Sequence, residues 1–362
     1  MKKLTALVLS VVMAASLVAC GGSSAPASSA AAPASSAPAA SAPATNADGA
    51  PTLTSTNPVN IIWSHNAPES SAGHQIALKF KESMESLSGG KITVTIYPNG
   101  QLGTVPENDQ ALRAGEIQMM SGTAGGTTSQ TLEYFDAPCL VTSDEEGFEL
   151  FGRGTELRAY TEKMFEEQGM KVLSFVPGGF RETSSNVKVS SYEELKGLNI
   201  RVMENPVPME YWKNWGCNPT PLAFGELYVG LQQGLVDAQE NTYDTITAAK
   251  LYEVQKYIIN TNHVVMWSGM YMNLDFYNSL PEDYRALLNW VCENIIDDYA
   301  YETCKAANEA ALQSMKDMGL EVIDFQPEEY VQMRKDAKPA YDLIRTHAGD
   351  EVMDMIEKAL GM

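Results

Sequence analysis

Three polar side chains at the ends of short apolar runs are placed for chemistry with an anion. Arg201 lies in Gly197-Leu198-Asn199-Ile200-Arg201-Val202, where Leu198, Ile200 and Val202 alternate with Asn199 and Arg201. That is the period of a half-buried strand. The arginine sits opposite three apolar side chains and toward the strand end, where open α/β sheets place their ligands. A guanidinium there offers a planar fork that meets a carboxylate through two parallel hydrogen bonds. An ion pair with Glu193 or Glu226 would satisfy the same charge, so the local pattern leaves both roles open. Arg181 follows Gly178-Gly179 and opens a polar run, which is also the setting of a solvated loop charge. Asn241 closes Gln239-Glu240-Asn241. Its amide can donate to a carboxylate and accept from a hydroxyl, and it is equally suited to cap a helix beginning at Thr242.

Other chemistries find less support. His65, His74, His263 and His347 show no HxxxH or HxxH spacing, so a metal would need distant assembly and none is expected. There is no GxSxG, no phosphate-binding loop and no nucleotide fingerprint, and no cofactor is expected. Carboxylates are numerous, but none stands out as a catalytic pair. With 25 basic and 46 acidic side chains the formal charge is −21, which argues against binding nucleic acid, because that requires a basic face. An anionic ligand would then depend on a local cationic pocket. Cys139, Cys217, Cys292 and Cys304 form no CxxC pair, and buried thiols are expected.

The elements that must position these groups alternate in period. Val59–Trp63, Ile92–Ile96, Ile117–Ser121, Lys171–Phe175, Leu198–Val202, Leu235–Glu240 and Glu321–Ile323 read as strands. Helical spacing separates them: Ile76, Ala77, Phe80, Met84 and Leu87 share one face, and further helices are expected at Pro106–Ala114, Glu145–Gln168, Phe224–Gln233 and Pro281–Met318. Ser191 and Glu194 have the spacing of a capping box. This is the pattern of an α/β fold with a mainly parallel sheet. Phe224 fits plain core at helical spacing. Ahead of the fold, Lys2-Lys3 and the short apolar run Leu4–Leu17 have the form of a secretion signal, followed by Leu17-Val18-Ala19-Cys20 and a low-complexity Ala/Ser/Pro stretch.

The ordered series Gly179-Phe180-Arg181-Glu182-Thr183-Ser184, Leu195-Lys196-Gly197-Leu198-Asn199-Ile200-Arg201-Val202, Pro219-Thr220-Pro221-Leu222-Ala223-Phe224-Gly225-Glu226-Leu227-Tyr228, Leu231-Gln232-Gln233-Gly234-Leu235-Val236-Asp237-Ala238-Gln239-Glu240-Asn241 and Tyr252-Glu253-Val254-Gln255-Lys256-Tyr257 resembles the substrate-binding proteins of TRAP (tripartite ATP-independent periplasmic) transporters, over about residues 57–345. The motifs are specific as a series. The resemblance implies a two-domain periplasmic-binding-protein-like α/β fold with a cleft between domains and one long shared helix. Domain I would be 57–178 plus 267–305, and domain II 179–266 plus 306–345. A C-terminal helix (346–362) would pack across both.

In that family the residue matching Arg201 grips the substrate carboxylate, those matching Arg181 and Asn241 assist it, and the aromatic matching Phe224 walls the cleft. Asn66, Glu69 and Thr123, on domain I loops facing the cleft, would choose the substrate. Trp267, at a domain crossing, would be hinge or wall. Residues 17–20 resemble a bacterial lipobox, making 1–20 a lipoprotein signal peptide, Cys20 the acylated residue and 21–56 a disordered tether. The expected protein is an extracytoplasmic lipid-anchored receptor and not an enzyme. It would pass a sugar acid (a uronate, for example) or C4-dicarboxylate to ion-gradient-driven TRAP permease subunits. A receptor for an ABC or sensory system, and a secreted α/β hydrolase, are the alternatives.

Overall fold

The alternating runs become nine strands of one mixed sheet in the computed structural model, which describes residues 45–46, 49–123, 125 and 128–360. The strands are β1 (Val59–His65), β2 (Ile92–Tyr97), β3 (Met119–Thr123), β4 (Met170–Ser185), β5 (Asn199–Val202), β6 (Asn218–Pro221), β7 (Ala238–Asn241), β8 (Tyr257–Asn273) and β9 (Glu321–Asp324). Their order is β2-β1-β3-β8-β4-β7-β5-β6, with β9 on β8. At the flanks β1 pairs in parallel with β2 and β3, and β5 with β6 and β7. At the centre β4 pairs antiparallel with β7 and β8, and β8 antiparallel with β3. The expected mainly parallel sheet is therefore corrected to a mixed one. The chain leaves one lobe along β4 and returns along β8, so the two crossing strands must run in opposite directions.

These strands are 16 and 17 residues long and hold two lobes on one sheet. Their register shifts between Pro177 and Phe180, where Gly178-Gly179 forms the crossing. Gly179 has φ +105°, and a Cβ there would come within 2.5 Å of the Asn308 side-chain nitrogen. Only glycine fits both conditions.

The Ala72–Leu87 helix starts at its Ser71 cap and buries Ile76, Ala77, Phe80 and Met84, the face that the spacing predicts. The single helix expected over 145–168 is instead two, Asp144–Phe151 and Glu156–Glu167. Gly152-Arg153-Gly154 interrupts it and Thr155 caps the second. Phe224–Gln233 likewise divides into a 3-10 turn, Phe224–Glu226, and a helix, Leu227–Gln232. Ser191 makes no side-chain cap; Glu194 accepts instead from the Ser190 backbone N–H (2.7 Å). The long helix is continuous from Glu282 through a π turn at Cys292–Ile296 to Asp317. It packs on the Ala72–Leu87 helix and on the Tyr243–Ala248 helix, so it touches both lobes. Cys139, Cys217, Cys292 and Cys304 are free thiols.

Residues 1–20, Cys20 among them, and most of 21–56 lie outside the described residues. Residues before position 57 also pack on the fold. Ala50 is fully buried, and Asp283 accepts from the backbone N–H of Thr54 (2.6 Å) and Ser55 (2.7 Å). A carboxylate in the first turn of a helix gathers these free donors, which composition alone does not reveal.

Candidate ligand-binding cleft

Arg201 is not half-exposed on its strand. Ile200, Arg201 and Val202 are all buried, because β5 is flanked by β6 and β7 and covered on both faces. The Arg201 residue is 2% exposed. Its Nε donates to the Leu222 carbonyl at 2.8 Å. No other hydrogen bond and no ion pair is made by this side chain among the described residues, and neither Glu193 nor Glu226 reaches it. Burial depresses its pKa to about 10, the charge of Glu240 counteracting and that of Arg181 adding to the effect. It stays cationic at neutral pH, a buried charge without a counterion.

Arg181 is equally buried, but its charge is paired. It forms an ion pair with Glu240 through Nε, and its terminal nitrogen donates to Glu240 Oε1 (2.9 Å), the Glu240 carbonyl (2.7 Å) and Asn241 Oδ1 (3.1 Å). It is no solvated loop charge: β4 pairs with β7 here, bringing Glu182 opposite Asn241. Burial opposes the Glu240 charge, yet Arg181 and His263 hold its carboxyl down at about 2. Burial lowers the pKa of His263. A carboxylate only accepts, so His263 Nε2–H donates to Glu240 (3.2 Å) while Nδ1 accepts from the Thr261 hydroxyl (2.9 Å).

Asn241 ends β7 and does not cap the next helix; that role falls to Thr242, whose side chain accepts from the Thr245 N–H. The Asn241 amide donates to Gln239 Oε1 (2.7 Å) while accepting from Arg181. This fixes its orientation beside the two arginines.

These three residues line one cavity of about 200 Å³ between the lobes. Phe224, Asn66, Thr123 and Trp267 also line it, and Glu69 does not. Glu69 is exposed in the turn before the Ala72–Leu87 helix, which corrects its placement in the cleft. Asn66 has its amide tied down: Nδ2 donates to the Gly103 carbonyl (3.0 Å) and Oδ1 accepts from Asn108 (3.1 Å), so it braces its loop as well as facing the cavity. Trp267 is wall and core together, stacked on Phe175 with centroids 5.0 Å apart and planes 6° apart. Phe224, half-buried, presents its ring from the turn after β6.

Sequence reasoning passed over Glu240, His263 and Asp244. Glu240 and His263 sit in strand runs whose burial on both faces becomes visible only once β4 and β8 are paired. Asp244 reads as an ordinary acid in a helix's first turn, yet it lines the cavity. Among the described residues no group of acidic, histidine or cysteine side chains could hold a metal ion.

The model of bacterial extracellular solute-binding protein family 7 (DctP) matches residues 63–347. The C4-dicarboxylate-binding periplasmic protein DctP of Rhodobacter capsulatus is 31% identical over 303 residues, 83% of this chain and 88% of that protein. A TRAP periplasmic solute-binding protein from Desulfovibrio salexigens with bound orotic acid superposes with TM-score 0.78 at 26% identity, covering 83% of this chain and 97% of the other. The sugar acid binding protein DctPAm of Advenella mimigardefordensis, in complex with galactonate, gives 0.79 at 25% identity, covering 84% and 100%. The chain belongs to bacterial extracellular solute-binding protein family 7, the substrate-binding proteins of TRAP transporters.

Proposed function

We propose that the protein captures a small organic acid in the cleft and holds its carboxylate on Arg201, with Asn241 and Arg181 completing the site. One observation carries this reading: Arg201 is buried in the cavity wall with, among the described residues, a single backbone partner and no counterion. A buried cation is costly until an anion reaches it, and a ligand carboxylate supplies two acceptors in the plane of the guanidinium. Arg181 contributes differently. Its charge is balanced by Glu240, so it positions Asn241 and adds a polar edge to the cavity. Phe224 and Trp267 wall the ligand, while Asn66 and Thr123 meet it from the loops of the first lobe.

The lobes correspond to domain I (57–178 plus 267–305) and domain II (179–266 plus 306–345). A ligand touching both favours the closed arrangement by its differential affinity. The closed receptor then docks on the TRAP permease subunits and releases its ligand unchanged, without catalysis. Cys20 carries the lipid that keeps the receptor at the outer face of the membrane, in the periplasm or its equivalent, with the segment after it as spacer.

A thermal-shift screen tests the binding claim, with dicarboxylates, aldonates, uronates, sialic acid, 2-oxo acids and neutral sugars run against the wild type and Arg201→Ala. A ligand at a hundred times its dissociation constant adds about 2.7 kcal/mol of stability, a rise of several degrees. The expected result is a shift with an acid that disappears in Arg201→Ala. A shift with neutral sugars that survives the substitution would make the arginine structural.

A further inference from the structure

The charges of the cavity are unevenly placed. Its charged lining residues are Arg181, Arg201, Glu204 and Asp244, with no lysine or histidine among them. Arg181 is balanced by Glu240, so Arg201 is the one lining cation without a carboxylate partner among the described residues. Asp244 follows Asn241 by three residues, in the first turn of the Tyr243–Ala248 helix. One of its oxygens accepts from the backbone N–H of Ala72, at the start of the Ala72–Leu87 helix in the opposite lobe (3.1 Å). Its other oxygen has no hydrogen-bond partner among the described residues. The Asp244 backbone N–H donates to Asn308 on the long helix (3.0 Å), which anchors the start of this helix against the long helix. The rest of the lining mixes apolar side chains such as Met203, Phe224 and Trp267 with the hydroxyl residues Ser71, Thr104, Ser121, Thr123, Thr245 and Ser268.

We propose that Asp244 sets the substrate class: the cleft takes an acid with one carboxylate, on Arg201, whose far end presents hydroxyl or other N–H or O–H donors to Asp244, and it rejects a second carboxylate there. This rests on the carboxylate-binding reading of Arg201 and narrows it from organic acids at large to hydroxylated monocarboxylates. Burial raises the pKa of Asp244 while the Ala72 N–H favours its charged form; in that form the carboxylate is an acceptor only, so a ligand hydroxyl completes it. A second ligand carboxylate would bring two anions together with no cation to separate them, and like charges juxtaposed at a binding site cost several orders of discrimination.

The test is calorimetric titration of the purified protein with D-galactonate, D-galacturonate, succinate and L-malate, repeated for Asp244→Asn, Asp244→Glu and Arg201→Ala, each first shown to melt cooperatively. Asparagine keeps an oxygen for the Ala72 N–H, so the contact between lobes survives while the charge goes. The wild type is expected to bind a sugar acid about 100-fold or more tighter than either dicarboxylate. Asp244→Asn is expected to shrink that ratio by about 10-fold or more, and Asp244→Glu to preserve its sign. Dicarboxylates bound by the wild type as tightly as sugar acids, with Arg201→Ala abolishing both, would overturn the role of Asp244 and leave the Arg201 reading standing. A ratio unmoved in Asp244→Asn would do the same. Binding that ignores Arg201→Ala, or no acid bound at all by a folded wild type, would overturn the underlying reading and this one with it.

Discussion

Glu240→Gln isolates what holds the floor of the cleft. The substitution keeps the shape and an accepting oxygen but removes the charge opposite Arg181. Both partners are out of solvent, Arg181 at 3% exposure and Glu240 at none, so water cannot replace the lost counterion. The carboxylate also receives His263 Nε2–H, and its depressed pKa of about 2, achieved against burial, reports how strongly Arg181 and His263 favour its charged form. Breaking one side of a buried ion pair costs about 3–5 kcal/mol, since the other charge stays behind uncompensated. For a chain of this size that is a fall in melting temperature on the order of 10 °C. Urea denaturation of Glu240→Gln, Arg181→Met and the double variant at pH 7 measures it. The double variant should be less destabilised than the sum of the two singles by about 2 kcal/mol or more, because it leaves no stranded charge. Purely additive effects, or a single-variant cost under about 1 kcal/mol, would show that the pair contributes little and that Arg181 is free to act as a second ligand-binding cation.

Two further outcomes follow from the geometry. Glu182 is 1% exposed and its Oε2 accepts from the Asn262 N–H (2.7 Å); burial, partly offset by backbone donors, pushes its pKa from 4.5 up to about 8. Between those values the folded chain holds a proton that the unfolded chain has lost. This contribution to stability is therefore full below about pH 4.5 and is lost as pH rises toward 8. Glu182→Gln is expected to flatten that decline by a few kcal/mol at pH 8.5 relative to pH 5; parallel wild-type and variant profiles in melting experiments would contradict it. Gly179→Ala places a methyl group against Asn308 at positive φ, and is expected to cost about 1–3 kcal/mol and to weaken ligand binding through the crossing. Unchanged melting and affinity would show that the crossing tolerates a side chain.

The amphipathic helix at Ala72–Leu87 and the short flanking strands were legible because each carries its own period, so local pattern and tertiary burial agree. The need of Arg201 for an anion is legible in the sequence, because a lone arginine between apolar strand residues must be paired. The identity of that anion is not, since Glu193 and Glu226 are near in sequence and only the fold separates them from it. The two crossing strands are 16 and 17 residues long, and of them the spacing predicts only the run Lys171–Phe175 of β4 and no strand in β8. Gly178-Gly179 and Asn262 break the alternation, and nothing local says that β4 and β8 continue through those positions, supported by each other. Arg181 illustrates the same limit: its counterion lies 59 residues away and becomes visible only when β4 meets β7. Glu69 was misplaced because membership of a loop does not fix a side chain's direction. Asp244 went unnoticed because an acid in a helix's first turn is ordinary by composition, and its contact with Ala72 depends on how the lobes meet.

The central claim is that Arg201 binds a ligand carboxylate, and it is tested most directly by changing the same bond from both sides. Calorimetric titration would compare D-galactonate with its neutral amide, D-galactonamide, on the wild type and on Arg201→Ala. In the wild type the acid should bind about 30-fold or more tighter than the amide, the loss expected when one partner of a buried charge pair is removed. In Arg201→Ala acid and amide should bind alike and weakly, giving a coupling of about 2 kcal/mol or more. If the acid keeps its advantage over the amide in Arg201→Ala, the carboxylate is held elsewhere and the account of this cleft is wrong.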